Sequence, residues 1–398
     1  MPPIPSTFTG PLHPTARNYR SFLKFLSDSY GFQDPRWFEK DAPAFFGTRP
    51  AQLATKWALM ADGRFAAHVG LFPFEARIEG RPLRVAGIGA VATHPSHRGQ
   101  GLMKRLMDHV ADVLQDDGYA LSILWGERDL YRPYGYERGL FLDQFTFQRR
   151  NLTYFAVPGK VRPAASRDLP AIERLYNAHP FRIRRGPVQA ASCFHRFDRP
   201  SERPVRVLEE KGKVTAYSVF WRPASFWKKG SGPLDVAEWG GAAEDLACLW
   251  ASVLQGDREA SLTATIHPGG DLYDWARENC SSQVRTGQSC MLKVLDLHSV
   301  LKAFEPQLQR RYEALGTSMG RTLWFRSPGG SAGLECGRRL RVLKGSREGA
   351  IPLSAEGTVR LLFGAGRPSS TLKDLGLHAG WLDGLFPLDW YWWRSEWI

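Results

Sequence analysis

The tract from Val91 to Lys104, Val-Ala-Thr-His-Pro-Ser-His-Arg-Gly-Gln-Gly-Leu-Met-Lys, constrains this chain more than any other. It follows an apolar run, Val85–Thr93, that reads as a strand. Beyond it Leu102, Leu106, Val110 and Leu114 recur at every fourth position, with Lys104, Arg105, Asp108 and Asp112 among the polar ones. That spacing predicts an amphipathic helix over about 101–117, closed by Gly118. Strand, glycine turn and helix therefore follow one another directly. Gly99 and Gly101 let a ligand come close to the backbone, and the helix N-terminus offers unpaired N–H groups and a positive dipole end. Such a place suits a pyrophosphate, and Arg98, Lys104 and Arg105 add charge nearby. A dinucleotide loop would need Gly-x-Gly-x-x-Gly after a first strand, and a phosphate-binding Walker loop would need Gly-Lys-Ser/Thr. Here Gly101 is followed by Leu102-Met103, so neither pattern fits.

What precedes the tract is antiparallel in character. Asn18–Tyr30 carries Phe22, Leu23, Phe25 and Leu26 in a helical stripe. Asp62-Gly63 divides the apolar runs of Trp57–Leu71, and Glu79-Gly80 divides those around Arg77–Thr93; both read as hairpin turns. A strand is expected at Tyr119–Leu124. A new unit opens near Lys160, with a helix bearing Leu169, Ile172, Leu175 and Tyr176, and strands at Val205–Leu208 and Val214–Trp221. It closes with a Glu238-Trp239-Gly240-Gly241 turn and a helix over Ala243–Leu254. A third unit starts near Met291, with a helix from Leu297 that Pro306 should end or kink. Strands are expected there at Arg321–Phe325, Leu340–Leu343 and Val359–Phe363, with a turn at Ser327–Gly330 between the first two. The aromatic ending Leu-Asp-Trp-Tyr-Trp-Trp-Arg-Ser-Glu-Trp-Ile predicts a C-terminus packed into the protein.

At 398 residues the chain is long enough for two to four domains. No apolar run is long enough to span a membrane and the N-terminus has no signal-peptide pattern, so the expected location is the cytoplasm. The formal charge of +13 attracts polyanions, but the basic residues are dispersed, as on a solvated surface. Five cysteines, Cys193, Cys248, Cys280, Cys290 and Cys336, form no Cys-x-x-Cys pair and read as buried thiols. No metal-ligand cluster is visible in the spacing.

The run Arg98-x-x-Gly101-x-Met103 resembles the signature of the GNAT superfamily of N-acetyltransferases, Arg/Gln-x-x-Gly-x-Gly/Ala, with Met103 where a small residue is usual. His97-Arg98, Gly101-Leu102-Met103, Asp117-Gly118-Tyr119 and Leu130-Tyr131-Arg132-Pro133-Tyr134-Gly135-Tyr136 are similar to the enhanced-intracellular-survival (Eis) type within it. The motifs cover roughly residues 85–140. The resemblance implies an α+β chain of tandem GNAT-like mixed-sheet domains, 1–155 and 156–290, followed by a sterol-carrier-protein-like α/β domain over 291–398. The second unit has no Arg-x-x-Gly-x-Gly loop and should not hold coenzyme A.

The resemblance further implies acetyl-CoA as cosubstrate, no metal, and transfer of an acetyl group to a small-molecule or peptidyl amine by direct attack. Backbone groups of Val91, Ala92 and Thr93 would pair with the pantetheine arm. Arg98, Gly99, Gln100, Gly101, Leu102, Met103 and Lys104 would hold the pyrophosphate, with Gly126 and Glu127 as further contacts. Tyr131 would protonate the departing thiolate, and the terminal carboxylate of Ile398 would be the base. Tyr134 and Tyr136 are alternative acids, Tyr136 the more suited to packing; His94 is expected in solvent, His97 in a loop contact and His68 in the core. The family's members form ring-like oligomers, so a homo-oligomer, a hexamer by resemblance, is implied. Two other readings stand beside this one. The first is a non-catalytic acyl-CoA or lipid-binding protein, against which Tyr131 and the glycine turn argue. The second is an aminoacyl-tRNA-dependent transferase or RNA-binding protein, against which the same turn argues.

Overall fold

The computed structural model describes residues 7–153, 155, 158–187, 189–190, 205–221, 234–256, 261–287, 290–316, 320–373, 375 and 378–396. Asp62-Gly63 and Glu79-Gly80 take left-handed φ values (48° and 77°, 49° and 86°), the geometry of two-residue turns that match strand twist. They fold Lys56–Ala61, Arg64–Ile78 and Arg81–Thr93 into a long antiparallel meander. Leu121–Trp125 then joins Arg81–Thr93 in parallel, because the helix Leu102–Asp116 carries the chain back between them. That helix lays Leu102, Leu106, Val110 and Leu114 against Val69, Leu71, Ala86, Ile88 and Leu124 on one face of the sheet. The helix Tyr19–Tyr30 seats Phe22, Leu23, Phe25 and Leu26 among Phe65, Phe72 and Ala90 of the core on the other face.

The sheet is completed from far downstream. Cys290–Val294 lies between Leu121–Trp125 and the short strand Glu137–Arg138, antiparallel to both. In return Phe141–Gln148 leaves the first unit and pairs with Ser261–Ile266 and Ser282–Gly287 in a second, seven-stranded mixed sheet. Each sheet thus holds a strand contributed by the other's stretch of chain. A four-stranded sheet, Leu340–Lys344, Gly330–Cys336, Arg321–Ser327 and Ile351–Pro352, forms the third layer with helices over 297–314 and 355–363. Pro306 stands in the first turn of the helix Glu305–Ala314, so the break it imposes falls at Phe304.

Four expectations are corrected. Val359–Phe363 is helical, not a strand: Ser354 caps Ala355–Phe363 by accepting the Gly357 N–H at 2.9 Å, and a five-residue run with four apolar residues does not distinguish the two periods. Gly330–Cys336 is a strand the sequence reading passed over; its glycines include Gly333, which lies flat against the Trp324 ring. Glu238–Gly240 continues the strand Leu234–Gly240 rather than turning, and Gly240 makes room for the Tyr217 ring. Cys280 is half-buried, whereas Cys248, Cys290 and Cys336 are buried; Cys193 lies outside the described residues.

The aromatic tail is packed between the units. Trp390, Trp392 and Trp393 are almost wholly buried. The Trp392 ring lies 5.2 Å from Phe74 and 6.1 Å from Trp125 of the first sheet. Trp393 lies 4.7 Å from His179 and 5.4 Å from Trp239, and its indole donates to the Phe181 carbonyl at 3.2 Å. Glu396 accepts from Arg185, Tyr176 and Gln189, and Arg185 also pairs in bidentate fashion with Glu238.

Candidate active site

The parallel pairing of Arg81–Thr93 with Leu121–Trp125 runs from Val85 opposite Leu121 to Ile88 opposite Leu124 and stops there. The first strand continues to Thr93, so between residues 89–93 and Trp125 the facing backbone edges part. A bulge makes the divergence. The register with Arg64–Ile78 slips between His68 and Gly70, and Ala90 takes a left-handed φ of 49°. Two side chains hold it. His68 Nδ1 donates to the Ala90 carbonyl at 2.7 Å, and the Tyr30 hydroxyl donates to the Val91 carbonyl at 3.0 Å. Burial pushes the His68 imidazole down to about 3, so it is neutral and able to donate through one nitrogen only. Ala92 and Thr93 pair with His68 and Ala67 on one side, leaving their other edge toward the opening. His68 is thus in the core as expected, but with a task that no sequence signal revealed; Tyr30 was missed because its target lies 61 positions away.

At the end of this strand Pro95–His97 forms one short 3₁₀ turn and Gly99 and Gly101 take φ values of 76° and 73°. A Cβ at either glycine would have nothing within 4 Å. Gln100 is exposed and reaches the Ser96 carbonyl at 3.4 Å; Leu102 is buried and Met103 half-buried. The cations behave differently from one another. Arg98 is exposed at the turn. Lys104 is paired with Asp108 at 2.5 Å in solvent. Arg105 turns away and donates to the carbonyls of Phe8 and Gly10. His94 is exposed and bonded to Ser96, and His97 meets the edge of Phe8 at 5.5 Å.

Across the opening, Gly126 and Glu127 lead into the helical turn Arg128–Tyr131. The Tyr131 ring lies directly on Gly126, where an added Cβ would come within 2.3 Å of Cε2. Tyr131 is buried, and burial, with Tyr134 nearby, pushes its phenol up to about 12. Tyr136 is taken up by packing: its hydroxyl bonds Ser122 Oγ at 2.7 Å, and Ser122 donates to Ala86 at 3.0 Å. Tyr134 is half-buried near Lys104 and Asp108. Ile398 lies outside the described residues. Among the described residues no group of three or more His, Cys, Asp or Glu side chains converges as metal ligands would, and no helix is long and apolar enough to cross a membrane.

Residues 13–139 match the family described as an acetyltransferase (GNAT) domain. A 106-residue stretch is 30% identical to the protein of Escherichia coli (strain K12) named uncharacterized N-acetyltransferase YhbS. That match takes in 26% of this chain and 62% of that protein, so the chain spans less than two thirds of the curated relative. The whole chain is similar to a solved GCN5-related N-acetyltransferase of Kribbella flavida, at 21% identity over 99% of both chains and a TM-score of 0.71. It is similar also to one of Anabaena variabilis (16%, 97% and 100%, 0.70) and to Eis1 of Mycobacterium abscessus (12%, 99% and 100%, 0.67). The fold is therefore that of the GCN5-related N-acetyltransferases, with two mixed-sheet units and a further α/β region.

Proposed function

We propose that the chain is an acetyl-CoA-dependent N-acetyltransferase acting on a primary amine of a small molecule or peptide. One observation carries the reading: two parallel strands part after Ile88 and Leu124, between a left-handed glycine turn that opens a helix and a buried tyrosine. The open space at Gly99 and Gly101 fits a diphosphate, which N–H groups of residues 99–104 and the Arg98 guanidinium would hold. The unpaired edge of Val91–Thr93 would take the pantetheine arm, with Gly126 and Glu127 flanking it. When bound, acetyl-CoA supplies an activated acetyl group; the chain aligns it with the amine and supplies the proton.

Tyr131 is the proton donor to the departing thiolate in this reading. Its burial keeps the hydroxyl protonated through the whole neutral and mildly alkaline range. The carboxylate of Ile398 is the base, and the third unit is of the sterol-carrier type. Thiol release from acetyl-CoA with a panel of polyamines, aminoglycosides and lysine peptides tests the activity. Tyr131→Phe should lower kcat by about a hundredfold or more with KM for acetyl-CoA little changed. The wild-type kcat should show no alkaline fall below about pH 10, because the phenol sits near 12. Near-normal turnover of Tyr131→Phe, or a fall in rate by pH 9, would remove Tyr131 from the role.

A further inference from the structure

The turn that carries Tyr131 is fastened to the third unit of the chain by an ionic lattice. Arg128, three residues before Tyr131, forks onto Glu137 through Nε and Nη2 at 2.8 Å each and reaches Glu356 at 3.2 Å. Arg132, one residue after it, donates to the other oxygen of Glu356 at 3.0 Å. Arg360 bonds Glu356 one helical turn back and reaches Glu137 at 3.3 Å. Glu356 and Arg360 both stand on the helix Ala355–Phe363. At the end of the turn Gly135, with a left-handed φ of 84°, faces Ala355 of the same helix.

The two carboxylates have separate tasks. Glu137 is buried and lies in the first sheet; burial opposes its charge, but Arg128 and the Arg138 N–H hold it down to about 2. Its bond to Arg128 closes the turn upon itself. Glu356 is different: it is the acceptor that grips both arginines flanking Tyr131, and it belongs to an element more than 200 residues away. The Tyr131 ring is confined beneath by Gly126, so the freedom left to its hydroxyl is the freedom of the turn.

We propose that Glu356 is a positioning residue for Tyr131, through which the third unit sets the placement of the proton donor. The inference rests on the reading of Tyr131 given above. Without Glu356, Arg128 keeps Glu137 and the fold persists, but Arg132, half exposed already, turns to solvent and the turn loses its outer tie. A proton donor displaced by about 1 Å is enough to cost up to a hundredfold in rate.

The test is a set of four proteins assayed for thiol release: wild type, Glu356→Gln, Tyr131→Phe and the double variant. Arg132→Gln, altered on the exposed side of the same pair, serves as the second variant. Glu356→Gln and Arg132→Gln should each lower kcat about tenfold or more, with KM for acetyl-CoA within about twofold and with unchanged circular dichroism. The double variant should be no slower than Tyr131→Phe alone, because Glu356 acts only through that hydroxyl. Normal turnover in Glu356→Gln and Arg132→Gln overturns the proposal, as does a double variant in which the two losses multiply. If Tyr131→Phe itself keeps wild-type turnover, the assignment of the proton donor fails first and this proposal with it.

Discussion

Arg98, Lys104 and Arg105 look equivalent in a linear reading, and their bonds separate them. Lys104 is already satisfied by Asp108, and Arg105 ties down the N-terminal strand. Arg98→Ala should therefore weaken acetyl-CoA binding about tenfold, whereas Arg105→Ala should leave affinity within about twofold and lower the melting temperature instead. Calorimetric titration beside a melting curve distinguishes the two; equal losses of affinity would contradict the division. Lys56 poses a different residue-scale question. It is buried between the rings of Phe46 and Phe72, donating to Thr55 Oγ1 at 2.8 Å and to the Gln52 carbonyl at 3.4 Å, with no carboxylate among these contacts. Burial pushes it down to about 7 from its ordinary 10.5. Between those values the unfolded chain binds the proton and the folded one does not, so stability rises with pH across that window. Wild type should gain melting temperature relative to Lys56→Met from pH 7 toward pH 10; a constant difference would show that Lys56 stays charged. The glycine turn and the place of Tyr131 beside Gly126 are local and so legible in the sequence, the role proposed for Tyr131 coming from the resemblance. The bonds of His68 to Ala90 and of Glu356 to Arg128 and Arg132 were not legible, because their partners lie on other elements.

At the scale of elements, the hairpins and the helix Leu102–Asp116 were legible since turn chemistry and a four-residue period are local properties. The bulge at Ala90 was not: nothing in Val-Ala-Gly-Ile-Gly-Ala-Val-Ala-Thr marks the sixth residue for a left-handed φ, which His68 and Tyr30 impose from outside. The helix over 355–363 was misread because its cap, Ser354, is more telling than its short apolar core. The turn after Trp125 offers the sharpest test at this level. Gly126→Ala places a methyl 2.3 Å from the Tyr131 ring, which must tilt away. Turnover should fall about tenfold or more while acetyl-CoA affinity stays within about threefold, as single-turnover rates and equilibrium titration would show. Unchanged turnover would mean that the ring's seat does not set the reacting geometry.

For the molecule as a whole, the tail is packed as far as Glu396, the last described residue, yet its place between two sheets could not be seen in a run of tryptophans. Trp393 touches His179 and Trp239 and bonds Phe181. Trp393→Ala should destabilise the protein by about 3–5 kcal/mol, read from denaturant unfolding. A short extension after Ile398, which leaves Trp393 in place, should lower turnover alone if the terminal carboxylate is the base. Full activity in the extended chain would leave the tail a purely architectural role.

The mutual loan of strands also has a consequence for biosynthesis. The gap beside Leu121–Trp125 is filled by Cys290–Val294, so a ribosome must deliver nearly three quarters of the message before the first sheet can close. Until then Leu121–Trp125 presents a bare strand edge of unpaired backbone N–H and C=O groups to the cell. The nascent protein thus has to shelter that edge for roughly two fifths of its translation, and a shortened product ending near residue 155 would emerge with it permanently uncovered.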